Sequence, residues 1–274
     1  IINKSLISII SPISLDHQEF LGKSLVKITK EKLGIIKNNS TVISSKQKKI
    51  VFKEIKKFTN KKGNKLISFN YDWKINSQNK KDFLFIYQKK LFKYPNPNLV
   101  GKHQIENLST ALATIHYLKD KGYFFSKKGI KNGIIKTKWP GRLEIIKKEK
   151  PTIYLDGAHN IDGAKIIRNF LKESNSKAWI ILGMLNSKKN LSYLKILKNS
   201  VEGVVAIEIP NEKNSILTSQ IKLNCKKINV FCKEEKDVFS SLDYLNKKNN
   251  VKKIIITGSL YLVGNIRKKI LSYC

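Results

Sequence analysis

The chain has 274 residues, enough for about two domains that each bury a core. Its formal net charge of +34 would by itself suggest a nucleic-acid or anionic-lipid partner, but the lysines run through the whole sequence with Ile and Asn and form no arginine-rich or aromatic-interleaved stripe, so compositional bias accounts for them and a basic nucleic-acid-binding protein is kept only as an alternative. No run of 18 apolar residues occurs, which excludes a membrane-spanning helix, and three cysteines with neither zinc spacing nor an even count point to a reducing, cytoplasmic setting.

The first apolar run, residues 6–10, reads as a strand stopped by Pro12. Asp16, His17 and Glu19 crowd behind it, where Asp16 can cap the next helix or where a strand end can carry a site. The chain opens on this strand without methionine and lacks a small-residue cleavage site, so it reads as a fragment rather than as a signal peptide. Helical spacing follows over 18–37, with Leu21, Leu25, Ile28 and Lys32 on one face and Gly34 near its end. Within 48–94, "KIVFKEI", "KLISFNYDW" and "DFLFIYQKKLF" read as short strands. A second helix is expected over 104–119, burying Ile105, Leu108, Leu112 and Ile115 and ended by Gly122. The Pro-Gly break in "TKWPGRLE", 137–144, divides the chain into domains 1–138 and 139–274. Beyond it, strands in "TIYL", "AWIILG", "GVVAIEI", "INVF" and "KKIIITG" alternate with helical segments, the pattern of a mostly parallel sheet with helices on both faces. In such α/β sheets ligands gather past the strand C-termini, where Asp156, His159 and Ser259 fall.

Several residues carry a chemical possibility beside a plainer one. Gly22-Lys23-Ser24 imitates the end of a phosphate loop, but position 17 is His where the earlier glycine belongs, and the tripeptide sits in a helical pattern. His17 is a metal ligand or an ordinary polar residue near a helix start. Lys32 either snorkels along its helix or, held on the apolar face, has a neutral amine that can take up carbon dioxide as a carbamate. "LDGAHN" sets Asp156 and His159 three residues apart on a strand-to-helix turn, a site or a turn capped by Asn160 or Asp162. Arg142 can fork onto phosphate oxygens or make a surface ion pair. Ser259 can help backbone N–H groups hold an anion, or serve only as an N-cap.

Six segments, "ISLDHQEFLG", "EKLGIIK", "GKHQIENLSTAL", "WPGRLE", "LDGAHN" and "TGSLYLVG", occur in the order found in the folylpolyglutamate synthase / dihydrofolate synthase family of the Mur ligase superfamily, which the chain resembles over nearly its whole length. The resemblance implies a remnant of the P-loop-type central ATPase domain over 1–138 and a Rossmann-like C-terminal domain over 139–274. It implies His17 as a magnesium ligand and Lys32 as a carbamylated catalytic lysine. Asn107, Arg142 and Asp156 match ATP-contacting positions, and His159 and Ser259 fall where that domain shapes the ATP and glutamate sites. The implied activity is ATP- and Mg2+-dependent addition of L-glutamate to dihydropteroate or a folate through an acyl phosphate, in a cytoplasmic monomer with small-molecule substrates and neither a nucleic-acid nor a membrane partner. The sequence departs from the family in three ways: the glycine-rich P-loop and its magnesium ligands belong to an earlier segment, Ile161 replaces a proline, and "GMLNSKKN" keeps Lys188 without acidic neighbours. A truncated, non-catalytic homologue is the alternative these departures leave open.

Overall fold

A computed structural model describes residues 3–16, 21–79 and 81–273. They fall into two units, Ile1–Asn98 with Lys102–Thr137, and Leu99–Gly101 with Lys138–Cys274.

In the first unit, β1 (Ile7–Ile10), β2 (Thr41–Ser44) and β3 (Leu66–Ser68) pair in parallel in that order. The connection from β1 to β2 contains α1 (Leu25–Leu33), which starts later than its sequence pattern suggests. Gly22 turns the chain at φ +96°, and Ser24 caps the helix, its Oγ accepting the Lys27 N–H at 3.3 Å. Gly22-Lys23-Ser24 is therefore a helix-entry turn, not helix interior. The segment expected as the strand "KIVFKEI" is instead helical, in α2 (Lys49–Lys62). Val51, Ile55 and Thr59 recur every fourth residue on its buried face, and Gly63 ends it in the left-handed region at φ +65°. Then β4 (Trp73–Gln78), β5 (Asp82–Tyr87) and β6 (Lys90–Pro95) form an antiparallel meander. Alternate residues Phe83, Phe85 and Tyr87 enter a core shared with α3 (His103–Asp120). That helix buries Ile105, Ser109, Leu112, Ala113, His116 and Tyr117, so its inner face is rotated from the expected one and Leu108 and Ile115 are only half-buried. A further helix, α4 (Lys127–Lys136), begins where Ser126 Oγ accepts the Gly129 N–H at 2.9 Å; its lysines hide a short apolar repeat of Ile130 and Ile134.

The second unit is built on six strands in the order β11-β10-β9-β12-β8-β7. Edge strand β7 (Glu144–Lys147) runs antiparallel to β8 (Thr152–Leu155). The strands β9 (Ala178–Leu182), β10 (Val201–Ala206), β11 (Cys232–Glu234) and β12 (Lys253–Thr257) all pair in parallel with their neighbours. The central strands are buried on both faces, which is why they read as short continuous apolar runs. Ile180, Leu182, Val204, Ala206 and Ile255 face α5 (Ile161–Glu173), α6 (Asn190–Leu197) and α7 (Thr218–Lys226). Their neighbours Trp179, Ile181, Val205, Ile254 and Ile256 face α8 (Val238–Asn246) and α9 (Leu260–Tyr273). This is the expected α/β architecture with a mostly parallel sheet. Sequence reading missed β7 and α7 and placed β11 in "INVF", just before its actual start.

Candidate active site at the strand ends

In the sheet of the second unit, β8 and β12 lie side by side, and the Asp156 N–H donates to Ile256 O at 2.9 Å. The turns leaving these strands, "DGAHN" and "GSL", therefore emerge next to each other and lead into α5 and α9. Asn160 caps α5, its Oδ1 accepting the Gly163 N–H at 2.8 Å, and Ser259 Oγ accepts the Tyr261 N–H at 3.0 Å where α9 begins. Two helix N-termini thus converge at one sheet end, a setting that favours negative charge.

Asp156 is buried, and its carboxylate is directed at the protein's own backbone: Oδ2 accepts the Leu143 N–H at 2.7 Å and Oδ1 the Ala158 N–H at 2.8 Å. Burial pushes its pKa up, opposed by those two N–H groups and by the charges of Arg142 and His159. The acid expected at an open crevice is instead a backbone clamp, because the chain beside it needs one. Gly141 and Leu143 both adopt left-handed φ, +67° and +46°, and for Leu that conformation is strained. The same loop is held from its other side. Glu144 accepts the Gly141 N–H at 2.9 Å and pairs through both carboxylate oxygens with Arg267 of α9 at 2.7–3.1 Å. Burial alone would raise the Glu144 pKa, but the bonds from Arg267 and Gly141 bring it below the usual carboxylate value. Sequence reading missed this pair; its signal is the acid directly after "GRL".

The loop carries Arg142, half-buried, with Nη1 only 2.8 Å from where a Cβ on Gly157 would lie. Gly157 also abuts Leu260, whose Cδ2 would be 2.3 Å from that Cβ, so a larger residue there would push the Leu260 and Arg142 side chains aside. His159 is half-buried, and its Nδ1 donates to Gly157 O at 2.8 Å, which sets the plane of the ring. Behind the turn, Thr257 Oγ1 donates to Ala158 O at 3.2 Å and is 3.1 Å from the hydroxyl of Tyr193, a wholly buried residue of α6. Since the Thr257 hydrogen points at a carbonyl, Tyr193 is the donor in that second bond. Arg142, Asp156, His159 and Ser259 thus share the end of β8 and β12, and the arrangement suits a phosphate or carboxylate.

The remaining expected site residues belong to the first unit. Asn107 is exposed on α3 and donates to Gln104 Oε1 at 3.1 Å. Lys32 is exposed in the last turn of α1, whose buried residues are Ile28, Thr29 and Leu33; the apolar environment expected for Lys32 is absent, because the inner face passes through position 33 instead. His17 lies outside the described residues. Among the described residues no three His, Cys, Asp or Glu side chains cluster as a metal site, and no helix is long and apolar enough to cross a membrane.

Residues 141–269 match the profile of the family described as dihydrofolate synthetase, C-terminal domain. A Bacillus subtilis dihydrofolate synthase/folylpolyglutamate synthase is 25% identical over 97% of this chain and 63% of its own length. A probable dihydrofolate synthetase of Schizosaccharomyces pombe is 29% identical over 97% of the chain and 66% of its own length. The chain resembles the folylpolyglutamate synthase / dihydrofolate synthase family along nearly its whole length. It spans less than two thirds of the folylpolyglutamate synthase and dihydrofolate synthase sequences just named and of the solved structures it matches. Mycobacterium tuberculosis folylpolyglutamate synthase complexed with ADP superimposes with a TM-score of 0.85 at 20% identity, over 97% of this chain and 63% of that one. Escherichia coli FolC in complex with DHPP and ADP gives 0.81 at 22%, over 97% and 62%. The fold is that of these two solved structures.

Proposed function

We propose that the chain is part of an ATP-dependent ligase that adds L-glutamate to dihydropteroate or a folate, its first unit being part of the central ATPase domain and its second the C-terminal domain. The observation that carries this proposal is similarity to enzymes so named over 97% of the chain. The ADP bound by solved relatives supports ATP as the nucleotide. In the proposed reaction the pteroate or folate carboxylate attacks the γ-phosphorus of ATP, ADP leaves, and the glutamate amine displaces phosphate from the acyl phosphate. The Arg142 guanidinium, fixed by the doubly anchored 141–144 loop, would fork onto phosphate oxygens. The N-termini of α5 and α9 would favour the same charge, and Ser259 would stand beside the glutamate. His159, its ring set by Gly157 O, would act near the transferring phosphate. Lys32 as a carbamate, Asn107 at the nucleotide and His17 at magnesium remain proposals from family resemblance. The described side chains form no metal cluster, so no step is assigned through magnesium.

The test is ATP-dependent incorporation of labelled L-glutamate into dihydropteroate and tetrahydrofolate, using the chain with whatever its gene encodes around it. Product with either acceptor is expected, with kcat/KM falling roughly 100-fold in Arg142→Ala. A folded protein that glutamylates neither acceptor would establish the non-catalytic homologue instead.

A further inference from the structure

The connection from α3 to α4 carries three aromatic residues in a row, Tyr123, Phe124 and Phe125. Gly122 turns the chain out of α3 at φ +88°, and the Tyr123 N–H donates back to Leu118 O at 3.0 Å. The cap on Ser126 fixes the other end. Between these anchors the side chains part. Phe125 packs half-buried on the core that α3 shares with the meander. Tyr123 is exposed, and Phe124, at 89%, is the most exposed large apolar side chain among the described residues. The rim of this tip is cationic: Lys119, Lys121, Lys127, Lys128 and Lys131 are all exposed. Asp120 is the only acid between positions 107 and 143, and its carboxylate accepts the Tyr87 O–H at 3.0 Å. Lys127 and Lys128 stand in the first turn of α4, where the helix dipole opposes positive charge.

We propose that this tip docks the protein on an anionic phospholipid surface. A single exposed ring is ordinary on a soluble protein. A Tyr-Phe tip ringed by lysines is different, because its layers match those of a bilayer interface. The Phe124 ring enters the apolar boundary, the amphipathic Tyr123 ring sits at headgroup level, and the lysine ammonium groups meet lipid phosphates, their stems lying along the surface. The contact is peripheral, since no described helix is long and apolar enough to cross a membrane. Charge complementarity selects an acidic bilayer over a neutral one. The chain's formal charge of +34 draws it toward any polyanion, so attraction alone marks no particular face. The two exposed rings do mark one, because only a surface with an apolar interior gains from burying them.

The experiment sediments the protein, with whatever its gene encodes around this chain, with vesicles of phosphatidylcholine alone or mixed with phosphatidylglycerol, at an ionic strength of about 0.15 M. Partitioning onto the mixed vesicles and little onto the neutral ones is expected. Phe124→Ser leaves the charge unchanged and, at so exposed a position, the fold intact; it should weaken partitioning roughly tenfold. Phe124→Trp should keep the binding and add emission that brominated lipid quenches, over and above any quenching in the unsubstituted protein. Lys127→Glu with Lys128→Glu, which suits the first turn of α4, should also weaken binding to the mixed vesicles. The proposal is overturned if the protein stays in the supernatant with both vesicles, or if it binds both equally. It is equally overturned if Phe124→Ser binds as well as the unsubstituted protein, which would leave net charge as the whole cause, or if the added indole is not quenched.

Discussion

At residue scale, the two polar residues of "LDGAHN" do different work. Both Asp156 oxygens accept backbone N–H groups, from Leu143 and Ala158. Asp156→Asn would turn an amide –NH2 toward one of those donors. It should cost about 1–3 kcal/mol in urea unfolding and also impair ligation, since the Arg142 loop loses an anchor. An unchanged unfolding midpoint would show that these bonds do not hold the loop. His159 makes its Nδ1 bond to one carbonyl at a half-buried position. His159→Ala should change stability by under about 1 kcal/mol while slowing glutamate ligation by roughly two to three powers of ten. Melting temperature and rate, measured on one preparation, separate this from a turn-stabilising role, which would lower melting and spare the rate. The spacing of acid and histidine was legible in the sequence, but the inward direction of Asp156 was not. It depends on the left-handed Leu143 thirteen residues earlier, and nothing local in "WPGRLE" announces a leucine at φ +46°.

At the scale of elements, the strand ends are closed by glycines that packing requires. Gly258 has φ +116°, and a Cβ there would lie 2.4 Å from Gly183 O, a backbone atom that cannot swing aside. Gly258→Ala should therefore destabilise the second unit by about 2–5 kcal/mol, read as a lower urea midpoint. An unaffected midpoint would mean that β9 and β12 shift apart freely. The buried parallel strands were legible because both of their faces are apolar. The "KIVFKEI" segment was misread because the β-branched and aromatic run Ile50-Val51-Phe52 reads as a strand, whereas Val51, Ile55 and Thr59, one helical turn apart, are the buried set. Helix α4 was overlooked because its apolar repeat has only two buried members.

For the molecule as a whole, acid should act through a histidine outside the candidate site. His116 is buried in the first unit, its Nε2 2.8 Å from the Tyr94 hydroxyl and its ring 4.1 Å from Phe92 and 5.1 Å from Tyr87. Burial, helped by the charge of Lys119 and opposed by that of Asp120, lowers its pKa to about 4. An unfolded histidine binds its proton near pH 6.5, so between pH 6.5 and about 4 the unfolded chain holds the extra proton. Stability from this site is complete above that window and lost as pH falls through it. The urea midpoint of the unsubstituted chain should decline across the window relative to that of His116→Gln; parallel curves would refute the assignment. His116 was legible only as the position one turn after Leu112 on an apolar face, which says that it is buried and nothing of its aromatic surroundings. The twofold burial of the central sheet has a different consequence. In a strand with one wet face, slipping by one residue exposes the core set, and polarity enforces alignment. Here a slip would exchange one apolar face for another, so hydropathy is nearly blind to it. The glycine at the end of β12, Gly258, acts as an alignment key instead: at φ +116° its missing side chain leaves room for the Gly183 carbonyl, which any Cβ in that place would meet at 2.4 Å. Deleting one isoleucine from "KKIIIT" would leave the hydropathy profile almost unchanged, yet it would draw Ser259 about 3.3 Å along the strand axis, away from the turn that carries His159.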